Sequence, residues 1–315
     1  RPLEYIFAYL EKKFAKKHPE MIEPNKKVLR DGFNYAANIQ LIANTYTIEP
    51  AHNLAKGTYR NITGNQAVAW GLLAASEKSG LPLFCGSYPL TPATAILEEL
   101  AIHKSLGAKT LQAEDEIAGI CTAIGASFAG NLAVTTTSGP GLSLKSEAMG
   151  LAVMAELPLV VVDVQRGGPS TGLPTKTEQS DLNQALYGRN GECPMAVIAA
   201  HSPAHCFDAA FTAAKIAVEH MTPVLLLSEG FLGNGSEPWL IPAMKDYPEI
   251  KPPFVRGILK EGEKFHPFKR NPDTLVRRWA VPGQKGFEHR VGGLEKTHEG
   301  VLSTDPLNHE TMVRE

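Results

Sequence analysis

The sequence predicts an α/β protein built on a doubly wound, mostly parallel sheet. Two observations carry this. From Gly64 onward, short apolar runs rich in β-branched residues alternate with segments of helical character, the pattern of repeated βα units. The strands then run into polar turns containing glycine or proline: Tyr88–Pro92, Thr135–Gly141 and Gln165–Gly172. In open parallel sheets such turns, at the carboxyl ends of the strands, are where ligands bind.

The elements follow in order. Tyr5–Phe14 is amphipathic and ends in Lys12, Lys13, Lys16 and Lys17, cations that suit a helix C-terminus. Asn25–Ala37 reads as a second helix and Ala43–Gly57 as an irregular linker. The sheet unit then opens with an alanine-rich helix over Gln66–Lys78 and a short strand over Leu81–Cys85. A helix over Pro92–Ala101 has proline in its first turn, and Thr110–Ala113 is a brief strand. Asp115–Phe128 is a helix whose Ala118, Gly119, Ala123, Gly125 and Ala126 permit close backbone packing. Asn131–Thr136 is a strand, Leu142–Val153 a helix, and Leu157–Val164 a buried strand. Asp181–Tyr187 and Pro203–His220 are helices, and Met195–Ala199 and Val224–Leu227 the last strands. Beyond Asn234, prolines at 238, 242, 248, 252, 253, 267, 272 and 282 interrupt any helix. Trp239, Phe254, Phe265, Trp279 and Phe287 nevertheless favour ordered packing there. The expected organisation is a short helical segment with linker over 1–60, an α/β domain over 61–233, and an extended arm over 234–315.

Bulk properties narrow the function. At 315 residues, 43% hydrophobic and 20% charged, the chain has the composition of a globular protein with a sizeable core. A net charge of −2 gives no basic surface for nucleic acid or anionic membrane. No apolar run reaches the roughly 18–20 residues of a membrane helix, and no signal peptide opens the chain. The start at Arg1, without Met, suggests a fragment or a processed chain. The cysteines, Cys85, Cys121, Cys193 and Cys206, form no C-x-x-C pair, so no local metal or cluster motif is expected here. Their sparse use suggests a reducing, cytoplasmic setting, where the Asn61-Ile62-Thr63 sequon carries no meaning.

Three features bear chemistry. Thr91, in Tyr88-Pro89-Leu90-Thr91-Pro92, occupies an expected N-cap, where its hydroxyl could cap the helix or face a ligand. Glu114, Asp115 and Glu116 head the small-residue helix. For the first two, helix-end electrostatics suffice. Glu116 enters a tightly packed apolar layer, where desolvation would raise its pKa and suit it to share a proton with a ligand nitrogen. Arg166, at the end of the Leu157–Val164 strand and its glycine-rich turn, could hold a carboxylate or phosphate through two parallel N–H bonds, or could be a surface arginine in an ordinary loop. Between them, Ser138 and Gly139 lie in another polar turn. Lys145, Lys176 and Arg189 read as solvated surface charges. G-x-G-x-x-G, Walker A and G-D-G segments are all absent.

Taken together, these residues resemble the 2-oxoacid:ferredoxin oxidoreductases, in their α subunit or the α portion of a fused γα subunit. The similarity runs through Tyr88–Pro92, Ala113–Ala118, Thr137–Gly141, Gln165–Thr175, Arg278–Gly283 and Gly292–Glu295, in order, from about Gly64 to Glu315. Residues 1–50 resemble the end of the γ domain more weakly. Leu90 departs conservatively from the family's isoleucine. The resemblance implies a thiamine-diphosphate pyrimidine-binding domain, with Tyr88, Pro89, Glu116, Ser138 and Gly139 on the cofactor. Glu116 matches the glutamate that hydrogen-bonds N1′ of the aminopyrimidine. Thr91 and Arg166 match residues that hold the 2-oxoacid carboxylate, and Thr175 a nearby substrate-side residue.

It further implies a hetero-oligomer in which a β subunit brings the diphosphate–Mg2+ site and a 4Fe-4S cluster. The reaction it implies converts a 2-oxoacid and coenzyme A to acyl-CoA and CO2, with electrons passing to ferredoxin. The γα-like arrangement points to 2-oxoglutarate. Pyruvate or branched-chain specificity, or a non-catalytic interaction subunit of the same fold, are the alternatives. The chain thus resembles the middle of a larger polypeptide, inactive on its own.

Overall fold

A computed structural model of the chain describes residues 3–39, 46, 48–49 and 51–315; the linker expected over Ala43–Gly57 lies partly outside these residues. The chain divides into two compact units, Arg1–Lys56 and Gly57–Glu315. The first is a helical pair, α1 (Leu3–Phe14) and α2 (Ile22–Asn38), with Lys26 Nζ reaching Glu11 at 2.6 Å and Glu23 at 3.0 Å. α2 starts before the expected Asn25, because Pro24 falls in its first turn, where a missing N–H costs nothing.

The second unit is a three-layer sandwich. Its parallel strands are β2 (Leu83–Ser87), β3 (Lys109–Gln112), β4 (Leu132–Thr137), β5 (Leu159–Gln165), β6 (Ala196–Ala199) and β7 (Pro223–Glu229), in the order β3-β2-β4-β5-β7-β6. Alternate residues of β5 point into opposite cores. Val160, Val162 and Val164 meet α3 (Gly64–Ser79), α4 (Thr94–Ile102) and α9 (His205–His220). Leu159 and Val161 meet α5 (Glu116–Phe128), α6 (Gly139–Leu144), α7 (Ser146–Met154) and α8 (Leu182–Tyr187). A parallel strand covered on both faces is apolar at nearly every position, which makes these runs readable. The small-residue helix behaves as expected: a Cβ on Gly86 would stand 2.3 Å from Thr122 Oγ1, so β2 and α5 pack backbone to backbone.

Three elements differ from the expectation. The helix expected over Leu142–Val153 is two helices, α6 and α7, which meet at Lys145. An antiparallel pair, β1 (Tyr59–Thr63) with β8 (Ser236–Leu240), joins stretches on either side of the α/β domain, across the boundaries expected at 60/61 and 233/234. Its strands mix exposed, half-buried and buried positions and lack an apolar run, so periodicity gave no signal. The third is α11 (Pro306–Arg314), started by Asp305, whose carboxylate accepts from Leu307 N.

The arm is nearly devoid of regular structure yet packed. Trp239, Trp279 and Phe287 are buried, and Phe254 stacks on Trp279 at 4.8 Å between centroids. Its cations close α7. That helix ends in a Schellman turn at Glu156, with φ of 50°, Glu156 N donating to Val153 O and Leu157 N to Ala152 O. The next carbonyls are taken from the arm: Lys296 Nζ donates to Met154 O at 2.6 Å, Arg277 to Ala155 O and Glu156 O at 3.3 and 3.0 Å. Arg270 pairs with the Glu156 carboxylate at 2.6 Å. Among the described residues no helix is long and apolar enough to cross a membrane.

Candidate functional site

The chain leaves β2 toward the α4 face and β4 toward the α6–α7 face, so the strand order reverses between these two neighbours. A crevice at the carboxyl edge is the consequence. Tyr88 and Pro89 leave β2 there, half-buried. Ser138 and Gly139 leave β4, buried, and the Ser138 Oγ has no hydrogen-bond partner among the described residues. A Cβ on Gly119 of α5 would come within 3.2 Å of Ser87 Cα and 3.3 Å of Tyr88 N, which brings the start of α5 onto this edge.

Glu116 is the first residue of α5 and half-buried, behind an N-cap at Asp115 whose carboxylate accepts from Ala118 N at 2.8 Å. Its stem lies on Gly141: a Cβ there would stand 2.8 Å from Glu116 Cγ and 2.0 Å from Thr137 Oγ1. Only glycine leaves room for this carboxylate between α5 and α6.

Arg166 is 4% exposed, so it is no surface arginine. Its guanidinium joins two loops, donating to Thr91 O at 2.6 Å and Thr171 O at 2.8 Å, while the buried Nε has no partner among the described residues. Thr91 and Arg166 are therefore brought together. Thr91 is not an N-cap: α4 begins at Thr94, and the Thr91 hydroxyl is exposed, with no hydrogen bond among the described residues. Thr175, exposed, lies in the Arg166 loop, and its side chain makes no hydrogen bond among the described residues. Glu116, Gly141, Ser138 and Gly139 form a second group on the neighbouring strand ends.

Lys145 corrects the expectation of a solvated charge. It is fully buried, and its Nζ donates to Glu116 O at 2.6 Å. Burial pushes its pKa down to about 8, against an opposing pull in which the Glu116 carboxylate is the strongest charge. The signal was its spacing: Leu142, Lys145, Met149 and Ala152 form one buried stripe. Arg189 is also no free cation, since it donates to Ala185 O, Leu186 O and Cys193 O. Lys176 is exposed, as expected.

Fold and site together define a doubly wound α/β domain built to take a ligand at its switch point. Residues 77–302 match the family described as pyruvate flavodoxin/ferredoxin oxidoreductase, thiamine diphosphate-binding. The chain belongs to that family. It is 55% identical to the 2-oxoglutarate oxidoreductase subunit KorA of Mycobacterium tuberculosis over 315 residues, all of this chain and 47% of the relative. It is 38% identical to the 2-oxoglutarate synthase subunit KorA of Methanothermobacter marburgensis over 80% of this chain and 65% of the relative. The solved 2-oxoglutarate:ferredoxin oxidoreductase of Magnetococcus marinus, with 2-oxoglutarate, coenzyme A and succinyl-CoA bound, superposes with a TM-score of 0.84 at 35% identity. That match covers 99% of this chain and 53% of the other. The chain thus spans about half to two-thirds of the length of these relatives.

The residues present suit an aminopyrimidine. The ring asks for a carboxylate at one nitrogen and polar atoms around its amino group. The half-buried Glu116 carboxylate and the orphaned Ser138 Oγ offer these on adjoining helix starts.

Proposed function

We propose that this chain is the aminopyrimidine-binding part of a thiamine-diphosphate-dependent 2-oxoacid:ferredoxin oxidoreductase acting on 2-oxoglutarate. The observation that carries the reading is Glu116, seated on Gly141 at the switch point of the sheet. Identity of 55% with a 2-oxoglutarate oxidoreductase subunit supports the substrate. The reaction takes 2-oxoglutarate and coenzyme A to succinyl-CoA and CO2, and two electrons pass singly to ferredoxin.

Bound here, thiamine diphosphate would supply the electron sink for the pair left by the departing carboxylate. Glu116 would face the ring nitrogen and share a proton with it, and Ser138, Gly139, Tyr88 and Pro89 would line the ring. Thr91 and Arg166 receive the substrate carboxylate. The exposed Thr91 hydroxyl, on a residue whose carbonyl Arg166 holds, supports this role, with Thr175 in the same loop as Arg166. A β subunit would bring the diphosphate site, its Mg2+ and a 4Fe-4S cluster, a division with which the lack of a G-D-G segment and of paired cysteines in this sequence is consistent. The setting is cytoplasmic.

The test is Glu116→Gln in the complex reconstituted with its partner. Ferredoxin reduction by 2-oxoglutarate falls about a hundredfold or more, the scale of a lost proton-transfer group. Full activity in that variant would falsify the assignment. Steady-state kinetics with 2-oxoglutarate, pyruvate and a branched 2-oxoacid decide the substrate.

A further inference from the structure

Lys145 has no place in the function proposed so far, yet it is the most conspicuous charge near Glu116. It stands where α6 meets α7, with φ −88° and ψ −5°, and its own N–H donates to Gly141 O. Gly141 and Lys145 are one helical turn apart, so they present one face to α5. Gly141 receives the stem of Glu116 and Lys145 receives its carbonyl.

That carbonyl belongs to the first residue of α5 and so lies at the root of the carboxylate. The ammonium has three donors and makes one side-chain hydrogen bond among the described residues. A buried, underused ammonium is unfavourable for folding, and a methionine of similar length would fill the site with no desolvation. A chain selected for packing alone has no use for a charge here. The groups that face it are Glu116, Asp115 and Cys121 on α5 and Cys85 on β2. Cys85 is a neutral thiol, pushed up to about 12 by burial.

We propose that Lys145 is a positioning residue for Glu116: it pins the first turn of α5 from below and keeps a positive charge beside the carboxylate, so that Glu116 stands ready for the ring nitrogen of the cofactor. This rests on the reading of Glu116 given above. Lys145 does not touch the ligand. It acts through where Glu116 stands and through the charge of its surroundings.

The test uses the complete reconstituted complex. Lys145→Met assembles, melts at or above the wild-type temperature, and keeps KM for 2-oxoglutarate within about twofold. Its kcat falls roughly tenfold to a hundredfold, the cost of a small misplacement of a reacting group. In the wild type, affinity for thiamine diphosphate, followed by calorimetry, weakens as pH rises through about 8, where Lys145 loses its proton. In the variant this pH dependence is gone. Unchanged kcat and cofactor affinity in Lys145→Met overturn the proposal, as does a loss of activity that merely follows a lower melting temperature. If the variant does not assemble, the wild-type affinity profile decides, and a flat profile between about pH 7 and 9 overturns the proposal. Glu116→Gln, run alongside, separates the two readings. If it keeps full activity the reading of the site fails. If it loses activity while Lys145→Met keeps it, only the role of Lys145 fails.

Discussion

Asp163 interrupts the apolar run of β5 and is completely buried. Its carboxyl faces that of Asp181, at the start of α8, and neither Asp163 oxygen has another donor among the described residues. Burial, then the neighbouring Asp181 charge, raises the Asp163 pKa well above the ordinary carboxylate value. The pair therefore keeps a proton that the unfolded chain releases near pH 4. With the folded pKa raised, stability is greatest below the unfolded value and falls as pH rises toward the folded one. Asp163→Asn supplies an N–H that never ionises. Its melting temperature gains on the wild type as pH is raised from about 4 to 7. Melts that run parallel across that range would contradict the shared proton. Lys145, expected as a solvated charge, and Asp163, inside a strand expected to be buried, both stand at apolar positions. Their roles were not legible in the sequence, because burial and partner are set by other elements. Thr91 and Arg166 could be named in advance, whereas their hydrogen bond, across 75 residues of chain, could not.

Among the elements, the Arg166 loop shows that its three glycines are not equivalent. Gly172 has φ of 48°, and a Cβ there would lie 2.0 Å from Gly167 O. Gly168 has nothing within 4 Å. Gly172→Ala must open the turn, at a cost of roughly 1–3 kcal/mol, and so free the Thr171 carbonyl that Arg166 grips. We expect KM for the 2-oxoacid to rise several-fold in Gly172→Ala and to stay within about twofold in Gly168→Ala. Equal effects in steady-state kinetics would refute this. The buried parallel strands were legible because both faces are apolar. The α6–α7 break was not, since nothing local in Ser143–Ser146 forbids a continuous helix. It accompanies the tertiary contact of Lys145 with α5.

On the scale of the whole α/β unit, the arm is an integral part of the structure. Arg277, 1% exposed, spends its guanidinium on the last carbonyls of α7. Burial lowers its pKa to about 10, so it remains charged at neutral pH. Arg277→Met leaves those carbonyls short of donors, removes a cation near the Glu156 carboxylate, and lowers stability by roughly 3 kcal/mol. Cleavage between residues 256 and 290 should quicken in limited proteolysis of the complex, and an unchanged digestion pattern would count against the anchor. The sequence announced an ordered arm through its aromatics, but not what it holds.

Helix α7 is thus secured at both ends: Lys145 ties its start to Glu116, and Lys296 reaches its Met154 carbonyl from 142 residues further along the chain. On the ribosome, the sheet and its helices can be complete while that helix end is still waiting for its donors. The floor beneath Glu116 reaches its final form only after Lys296 has been synthesised and has left the exit tunnel.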